Sequence, residues 1–175
     1  MTYSQARQDL FVLHMMGGKA GKYLEIGASH PININNTYLL EQNGWQGISV
    51  DLDGSNVEEW KRTRKNTLLI TDALTINEIS TDRIDYLQLD IDPPEQTMQC
   101  LINLMATGSR FSIITFEHDA YTGSPVREFS RELLDNNGYQ LAVADVQCPF
   151  GSFEDWWIDT TSDIDLKLLN TWKTT

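Results

Sequence analysis

Lys22-Tyr23-Leu24-Glu25-Ile26-Gly27-Ala28-Ser29-His30-Pro31 is the stretch whose reading decides the fold. Tyr23, Leu24 and Ile26 make a short apolar run. Glu25 sets a carboxylate near its end, and Gly27 lets the backbone turn tightly where a side chain would collide with a ligand. Downstream, Asn35-Asn36 and the apolar Tyr38-Leu39-Leu40 read as the cap and buried face of a helix. A strand that ends in an acid, turns on glycine and enters a helix is a nucleotide-binding crossover. The turn has Gly27 but lacks the G-x-G-x-x-G of dinucleotide sites, so its weight comes from the acidic strand ends that follow.

Working outward, Gly47-Ile48-Ser49-Val50-Asp51 is a second strand that closes on an acid, and Leu68-Leu69-Ile70 a third that runs into Thr71-Asp72-Ala73. Ile84 to Asp90 is a fourth and Phe111 to Phe116 a fifth, the last ending in Glu117-His118-Asp119. Helix signals fall between them. Ser4 caps a first helix bearing Leu10, Phe11 and Leu13, which Gly17-Gly18 stops. Ser55 and Glu58 have capping-box spacing for a helix through Trp60. Pro94 starts another, in which Met98, Leu101, Ile102 and Met105 fall at helical spacing as one buried stripe. Ser124-Pro125 opens one more, ended by Gly138. Tyr139 to Val146 and Phe153 to Ile158 are two strands joined over Pro149-Phe150-Gly151 as a hairpin. This alternation implies one α/β domain over residues 1–175, a mostly parallel sheet with helices on both faces and an antiparallel end. Ligands of such sheets bind outside the carboxyl ends of the strands, where Glu25, Asp51, Asp72 and Asp90 each deliver a carboxylate. Any one of these acids reads equally well as a loop cap; four at corresponding strand ends read as a set.

Composition narrows the partners. The chain has 175 residues, 41% hydrophobic and 22% charged, which suits one globular domain with a full core. A formal net charge of −12 argues against nucleic acid and against an anionic membrane surface, since both would repel it. Lys61, Arg62, Arg64 and Lys65 form the only local basic run, and it reads as a solvated helix face. Cys100 and Cys148 lie in apolar surroundings without metal-ligand spacing, which implies a reduced compartment. No apolar run reaches the roughly 18 residues of a membrane span, and Met1 to Leu10 is too polar for a signal peptide. The expectation is a soluble, cytoplasmic protein.

With these residues in place, the chain resembles the class I S-adenosylmethionine-dependent methyltransferases. The resemblance is carried by Glu25-x-Gly27, Asp51, Asp72-Ala73 and Asp90 at successive strand ends, and by the terminal hairpin. More narrowly, Tyr3-Ser4-Gln5 with Gln8-Asp9, Leu24 to Ala28, and Asn36 to Glu41 with Gly44 to Ile48 resemble the FkbM-type methyltransferases. One departure is Pro31, where that family commonly has a glycine. The resemblance implies a Rossmann-like class I methyltransferase fold with a seven-stranded, mostly parallel sheet. It implies S-adenosyl-L-methionine as cofactor, held by Glu25, Gly27, Ala28, Asp51, Leu52, Asp72 and Ala73. In that scheme Asp51 would accept from both ribose hydroxyls and Asp72 with the Ala73 amide would read the adenine edge. Glu25 would hold the loop or reach the cofactor's ammonium through water. Gln5 and Asp9 would close over the cofactor or simply begin a helix.

The reaction side rests on Asp90 and on Glu117-His118 at the next strand end. These look like metal-dependent O-methyltransferases, including the macrocin O-methyltransferase type, in which acids on these two strands hold magnesium. Asp90 and Glu117 offer oxygen ligands suited to a hard cation. Without metal, His118 is the candidate base, with Asp90 beside it, and all three side chains are expected to converge. The plain alternative is that His118 only caps a strand end. Gly27 to Pro31 also looks like a hydrolase nucleophile elbow, but Pro31 replaces the closing glycine and Ser29 comes too early in the fold. Of the aromatics Phe150, Phe153, Trp156 and Trp157, half are expected in the core and the rest against a sugar or aromatic acceptor. The resulting expectation is O-methylation of a neutral small-molecule or saccharide hydroxyl. The alternatives are an NAD-dependent oxidoreductase and a non-catalytic cofactor-binding protein on the same fold. A chain of 175 residues leaves little room for a substrate cap, so a homo-oligomer is a further expectation.

Overall fold

The structure, a computed structural model that describes residues 1–76 and 83–172, is built on one seven-stranded sheet. Its strands are β1 Lys22–Ile26, β2 Gln46–Asp51, β3 Thr67–Ile70, β4 Ile84–Leu89, β5 Phe111–Glu117, β6 Tyr139–Cys148 and β7 Gly151–Asp159. They lie in the order β3-β2-β1-β4-β5-β7-β6. The first five are parallel, and β7 runs antiparallel to both β5 and β6. Between them come the helices α1 Gln8–Met15, α2 Tyr38–Gln42, α3 Val57–Thr63, α4 Pro94–Ala106 and α5 Val126–Asn136. Strand order reverses between β1 and β4, which opens a crevice above their carboxyl ends. No helix among the described residues is long and apolar enough to cross a membrane.

Alternation along the strands feeds two cores, one on each face. Leu24, Ile26, Leu87, Leu89, Ile114 and Phe116 pack with Cys100, Leu101 and Leu104 of α4. Tyr23, Tyr86, Ile113, Trp156 and Ile158 face the other way, onto Phe11, Val12 and Met15 of α1. β4 and β5 lie at the centre of the sheet and are buried on both faces along nearly their whole length. In the hairpin, Phe153, Trp156 and Trp157 are all core, and only Phe150 stands out, 79% exposed.

Several local expectations are corrected. Ser4 is not the N-cap of α1; Arg7, in a left-handed conformation, is. Ser4 Oγ accepts the Asp9 N–H (3.3 Å) from outside the helix, while Asp9 accepts from Thr2, Tyr3 and Ser4. Asp9 therefore organises the N-terminus, and Gln5 lies in a different cavity from the β1–β4 crevice. The Ser55–Glu58 capping box does not form: α3 starts after Asn56 with no side-chain cap, because Ser55 bonds Asp53 and Glu58 pairs with Lys61. The buried stripe of α4 is Thr97, Cys100, Leu101 and Leu104, while Ile102 is exposed. Thr97 bonds the Ile91 backbone on that buried side. Finally, Arg64 is not solvated; its side chain is fully buried.

Candidate functional site

The crevice holds a cavity of about 410 Å³, within the range of small-molecule sites. Glu25, Gly27, Ala28, Asp51, Leu52, Asp72 and Ala73 all line it, together with Asp90. Gly27 has φ +82°, and a Cβ there would lie 1.7 Å from the Asp90 carbonyl oxygen. The glycine is thus required first by the close approach of the β4 end, and only then by any ligand. Its N–H and that of Ala28 both donate to the Val50 carbonyl (2.9 and 3.1 Å), which ties the turn to β2. Asp51 accepts from Ser29 N–H (2.6 Å) and Asp53 N–H (2.7 Å), one bond per oxygen. Each oxygen keeps a lone pair for a ligand. Asp72 accepts from Leu74 N–H (2.9 Å) and caps a short 3-10 turn, Ala73–Thr75. Leu52 and Ile34, 74% and 68% exposed, give the mouth of the cleft two aliphatic lips.

Glu25 lines the floor of this cavity but its carboxylate is engaged within the chain. It is 1% exposed and accepts hydroxyl bonds from Thr37 (2.8 Å) and Ser49 (2.6 Å). Burial raises its carboxyl above the usual range; Arg64 and those two hydroxyls pull the other way. The Arg64 guanidinium makes five bonds: to Glu41 (2.6 Å), the Pro31 carbonyl (2.9 Å), Asn35 (3.1 Å), the Tyr23 hydroxyl (3.0 Å) and Thr37 (2.8 Å). Pro31 is thereby held through its carbonyl, which ties the loop after Gly27 to the residue that follows α3. His30 uses Nδ1 to accept from Ile32 and Asn33 N–H and does not line the cleft.

The strand ends on the other side carry a second group of acids. Asp90 and Glu117 are hydrogen-bonded to each other; burial raises both, the charge of Asp90 adds to the rise at Glu117, and the charges of Asp119, Asp92 and Asp51 add to that at Asp90, where the bond to Glu117 pulls the other way. The pair therefore retains a shared proton over a wide pH range. Asp119 is 5% exposed, and its Oδ1 has no partner. Glu154, opposite Glu117 in the β5–β7 ladder, is buried and pushed up to about 8, by desolvation first. His118 does not join them. Its ring is fully buried, Nδ1 accepts from Ala120 N–H (3.2 Å), and Nε2 lies 3.6 Å from Asp155. The expected convergence of Asp90, Glu117 and His118 is thus corrected: β7 draws the imidazole to Asp155, which also binds Arg131.

The two acids expected to hold magnesium, Asp90 and Glu117, lie together at the strand ends, bonded to each other. No third His, Cys, Asp or Glu among the described residues joins Asp90 and Glu117 in a cluster of ligand atoms within 4.8 Å. The one such cluster is His118, Asp145 and Asp155, and its carboxylates already bind Arg127 and Arg131.

Two polar residues of the cleft escaped the sequence reading. Asn36 is 8% exposed and Gln88 2% exposed; both line the cavity, and Asn36 Oδ1 and Gln88 Oε1 have no hydrogen-bond partner. An unmade bond of this kind costs about 1–3 kcal/mol, so both oxygens call for a donor in the cleft. Gln88 left a signal: it is the one polar residue in the inner run Tyr86–Leu89 of a strand buried on both faces.

No family model matches the sequence, and no curated protein matches it. Solved structures do match in fold. Magnesium protoporphyrin IX methyltransferase (ChlM) of Synechocystis PCC 6803, solved with S-adenosylmethionine, superposes with TM-score 0.61 at 14% identity, over 87% of this chain and 76% of that one. The N-methyltransferase NodS of Bradyrhizobium japonicum, with S-adenosylhomocysteine, gives 0.55 at 13%, over 88% and 86%. An rRNA methylase of Streptococcus thermophilus gives 0.56 at 12%, over 86% and 94%. At such identities the likeness shows the fold: this chain has the Rossmann-like methyltransferase architecture, with its antiparallel terminal hairpin.

Proposed function

We propose that the chain binds S-adenosyl-L-methionine in the cleft above β1, β2 and β3 and transfers its methyl group to a hydroxyl of a small-molecule or saccharide acceptor. The observation that carries this reading is the gathering of Glu25, Gly27, Ala28, Asp51, Leu52, Asp72 and Ala73 around one cavity whose wall bears two unpartnered acceptors. Asp51 offers its free lone pairs to the ribose hydroxyls, and Asp72 with Ala73 faces the adenine edge. Asn36 and Gln88 supply the acceptors that an α-ammonium group needs. Glu25 acts from below, holding Thr37 and Ser49 and through them the loop.

The cofactor supplies an electrophilic methyl on a sulfonium. The chain's task is then to align the acceptor and take its proton. With His118 turned away, that task falls to the Asp90–Glu117 pair, in which Asp90 reaches the cavity. As the hydroxyl oxygen bonds to the methyl carbon, the C–S electron pair goes to sulfur and the hydroxyl proton goes to the Asp90 carboxylate. The restriction to hydroxyl acceptors comes from the FkbM-type resemblance of the first third. The restriction to small molecules comes from the net charge of −12, although one neighbour in fold is an rRNA methylase.

Calorimetry with S-adenosylmethionine, S-adenosylhomocysteine and NAD tests the assignment. Both adenosyl ligands should bind and NAD should not. Asp51→Ala should weaken them by about 1.5–3 kcal/mol, the usual contribution of a charged acceptor. Preference for NAD, or unchanged affinity in a folded Asp51→Ala, would sink it.

A further inference from the structure

Ile34 stands in a conformation its side chain does not favour. Its φ is 51°, in the left-handed region, where a β-branched residue is an outlier and glycine or asparagine is at ease. Of the five non-glycine residues with positive φ among those described, it is the only β-branched one. Such strain persists where the surroundings over-determine it, and here both sides of the residue are fixed. Before it, His30 Nδ1 accepts the N–H groups of Ile32 and Asn33 (3.1 Å each), and Arg64 holds the Pro31 carbonyl. After it, Asn35 donates its N–H to the Tyr3 carbonyl (3.1 Å) and its amide to the Ala28 carbonyl (3.2 Å). Asn35 Oδ1 accepts in turn from the N–H groups of Thr37 and Tyr38 (3.0 and 2.7 Å). These bonds account for the turn but not for the isoleucine. Glycine or asparagine would satisfy the same backbone without strain, and the fold gains little from a side chain that is 68% exposed.

What the residue does border is the cleft. Ile34 lines the cavity together with Asn36, two residues further on, whose buried Oδ1 lacks a donor. Ser29, earlier in the same loop, lines it too in a left-handed conformation (φ 48°) and donates its N–H to Asp51. The other aliphatic residue of the mouth, Leu52, follows Asp51 directly and so belongs to the ribose end. Ile34, beside Asn36, belongs to the end that takes the α-ammonium. An adenosyl ligand carries an arm of methylene groups between its sulfur and that ammonium. Such an arm has no polar atom to satisfy and gains from an apolar cover.

From this arrangement we infer that Ile34 is a binding residue for the amino-acid arm of the cofactor, held under backbone strain so that its side chain covers the methylene groups between sulfur and ammonium. The inference rests on the methyltransferase reading and deepens it. It adds a residue to which neither the acidic strand ends nor the family resemblance points. Stability is given up at Ile34, and ligand affinity is what the isoleucine returns.

Two ligands separate the arm from the rest: S-adenosylhomocysteine carries it, and 5′-methylthioadenosine does not. The variants are Ile34→Asn and Ile34→Gly, both of which suit the left-handed backbone. Each should weaken S-adenosylhomocysteine by about fivefold or more and leave 5′-methylthioadenosine within about twofold of the parent. Ile34→Asn should at the same time raise Tm by about 2 °C or more, because the strain leaves with the side chain. Affinity and stability then move in opposite directions, which a residue that merely supports the loop would not produce. S-adenosylhomocysteine affinity within about twofold of the parent in both variants would overturn the inference. So would equal losses for the two ligands, since Ile34 would then cover the nucleoside and not the arm. A Tm that falls in both variants would overturn it as well, because the isoleucine would then be needed by the fold. A parent chain that binds neither ligand is a distinct result: it removes the cofactor reading itself, and this inference with it.

Discussion

On the β1–β3 side of the crevice, buried Glu25 and Glu41 share one buried guanidinium, and the donors of Arg64 are used on the chain itself. On the β4–β5–β7 side, Asp90, Glu117, Asp119 and Glu154 crowd together with no arginine or lysine paired to them among the described residues. The two regions have the same kind of residue at the same edge of one sheet, in opposite electrostatic conditions. Acids matched within the chain build the wall of a site. Acids left unmatched hold protons. The difference separates scaffold from chemistry more sharply than burial does, since Glu25 and Glu154 are both 1% exposed.

The comparison breaks first at Arg64. Arg64→Ala removes one partner of a buried ion pair, a change that typically costs about 3–5 kcal/mol. For a chain of this size that is a fall in Tm of roughly 6–20 °C. Arg64→Lys keeps the charge but not the planar fork, so it should recover only part of the loss. Cofactor affinity should fall with stability in both variants, because the Pro31 carbonyl loses its donor. A Tm within about 2 °C of the parent would show that the matched side is not held by its arginine.

A smaller effect is expected on the unmatched side, and with a pH signature. The Glu154 carboxyl is pushed up to about 8 by burial, with the charge of Asp90 adding to it. In the folded chain it keeps its proton where the unfolded chain, near 4.5, has released it. Its contribution to stability is therefore fully present below about pH 4.5 and is lost as pH rises towards 8. Glu154→Gln still accepts from Gln8 and Trp156 and should flatten the stability profile between those limits. Urea midpoints at pH 5, 6.5 and 8 measure this. A parent profile that rises across the interval would reverse the assignment.

How much of this was legible differs between the same two regions. The sheet and its acidic strand ends followed from short apolar runs that each closed on an acid, and the cleft gathered the residues expected there. Arg64 was misread because a run of four basic residues resembles a wet helix face. The missed signal was its spacing from Trp60: four residues on, Arg64 falls on the same buried side. On the far side, His118 sat next to Glu117 in sequence, but its direction depends on β7, which arrives antiparallel from the end of the chain. No local pattern contains that register, nor the hairpin turn that brings Phe150 to Tyr121.

The finest expected effect concerns α3, the helix that leads into Arg64. Its first turn follows Asn56 with no side-chain cap, and the helix keeps its place through Trp60, which is 2% exposed. Ser55 sits outside it and donates its hydroxyl to Asp53 (2.7 Å) in an exposed loop. A true Ser N-cap contributes about 1 kcal/mol, so Ser55→Ala would cost several degrees if the spacing from Ser55 to Glu58 meant a working capping box. With the bond going to Asp53 instead, Ser55→Ala should move Tm by no more than about 1–2 °C. It should also leave the Arg64 network, and therefore adenosyl-ligand affinity, unchanged. A drop of 4 °C or more together with weaker S-adenosylhomocysteine binding would mean that Ser55 secures α3, and that the matched side is anchored from both ends of its helix (~4 °C corresponding to more than 1 kcal/mol at this length).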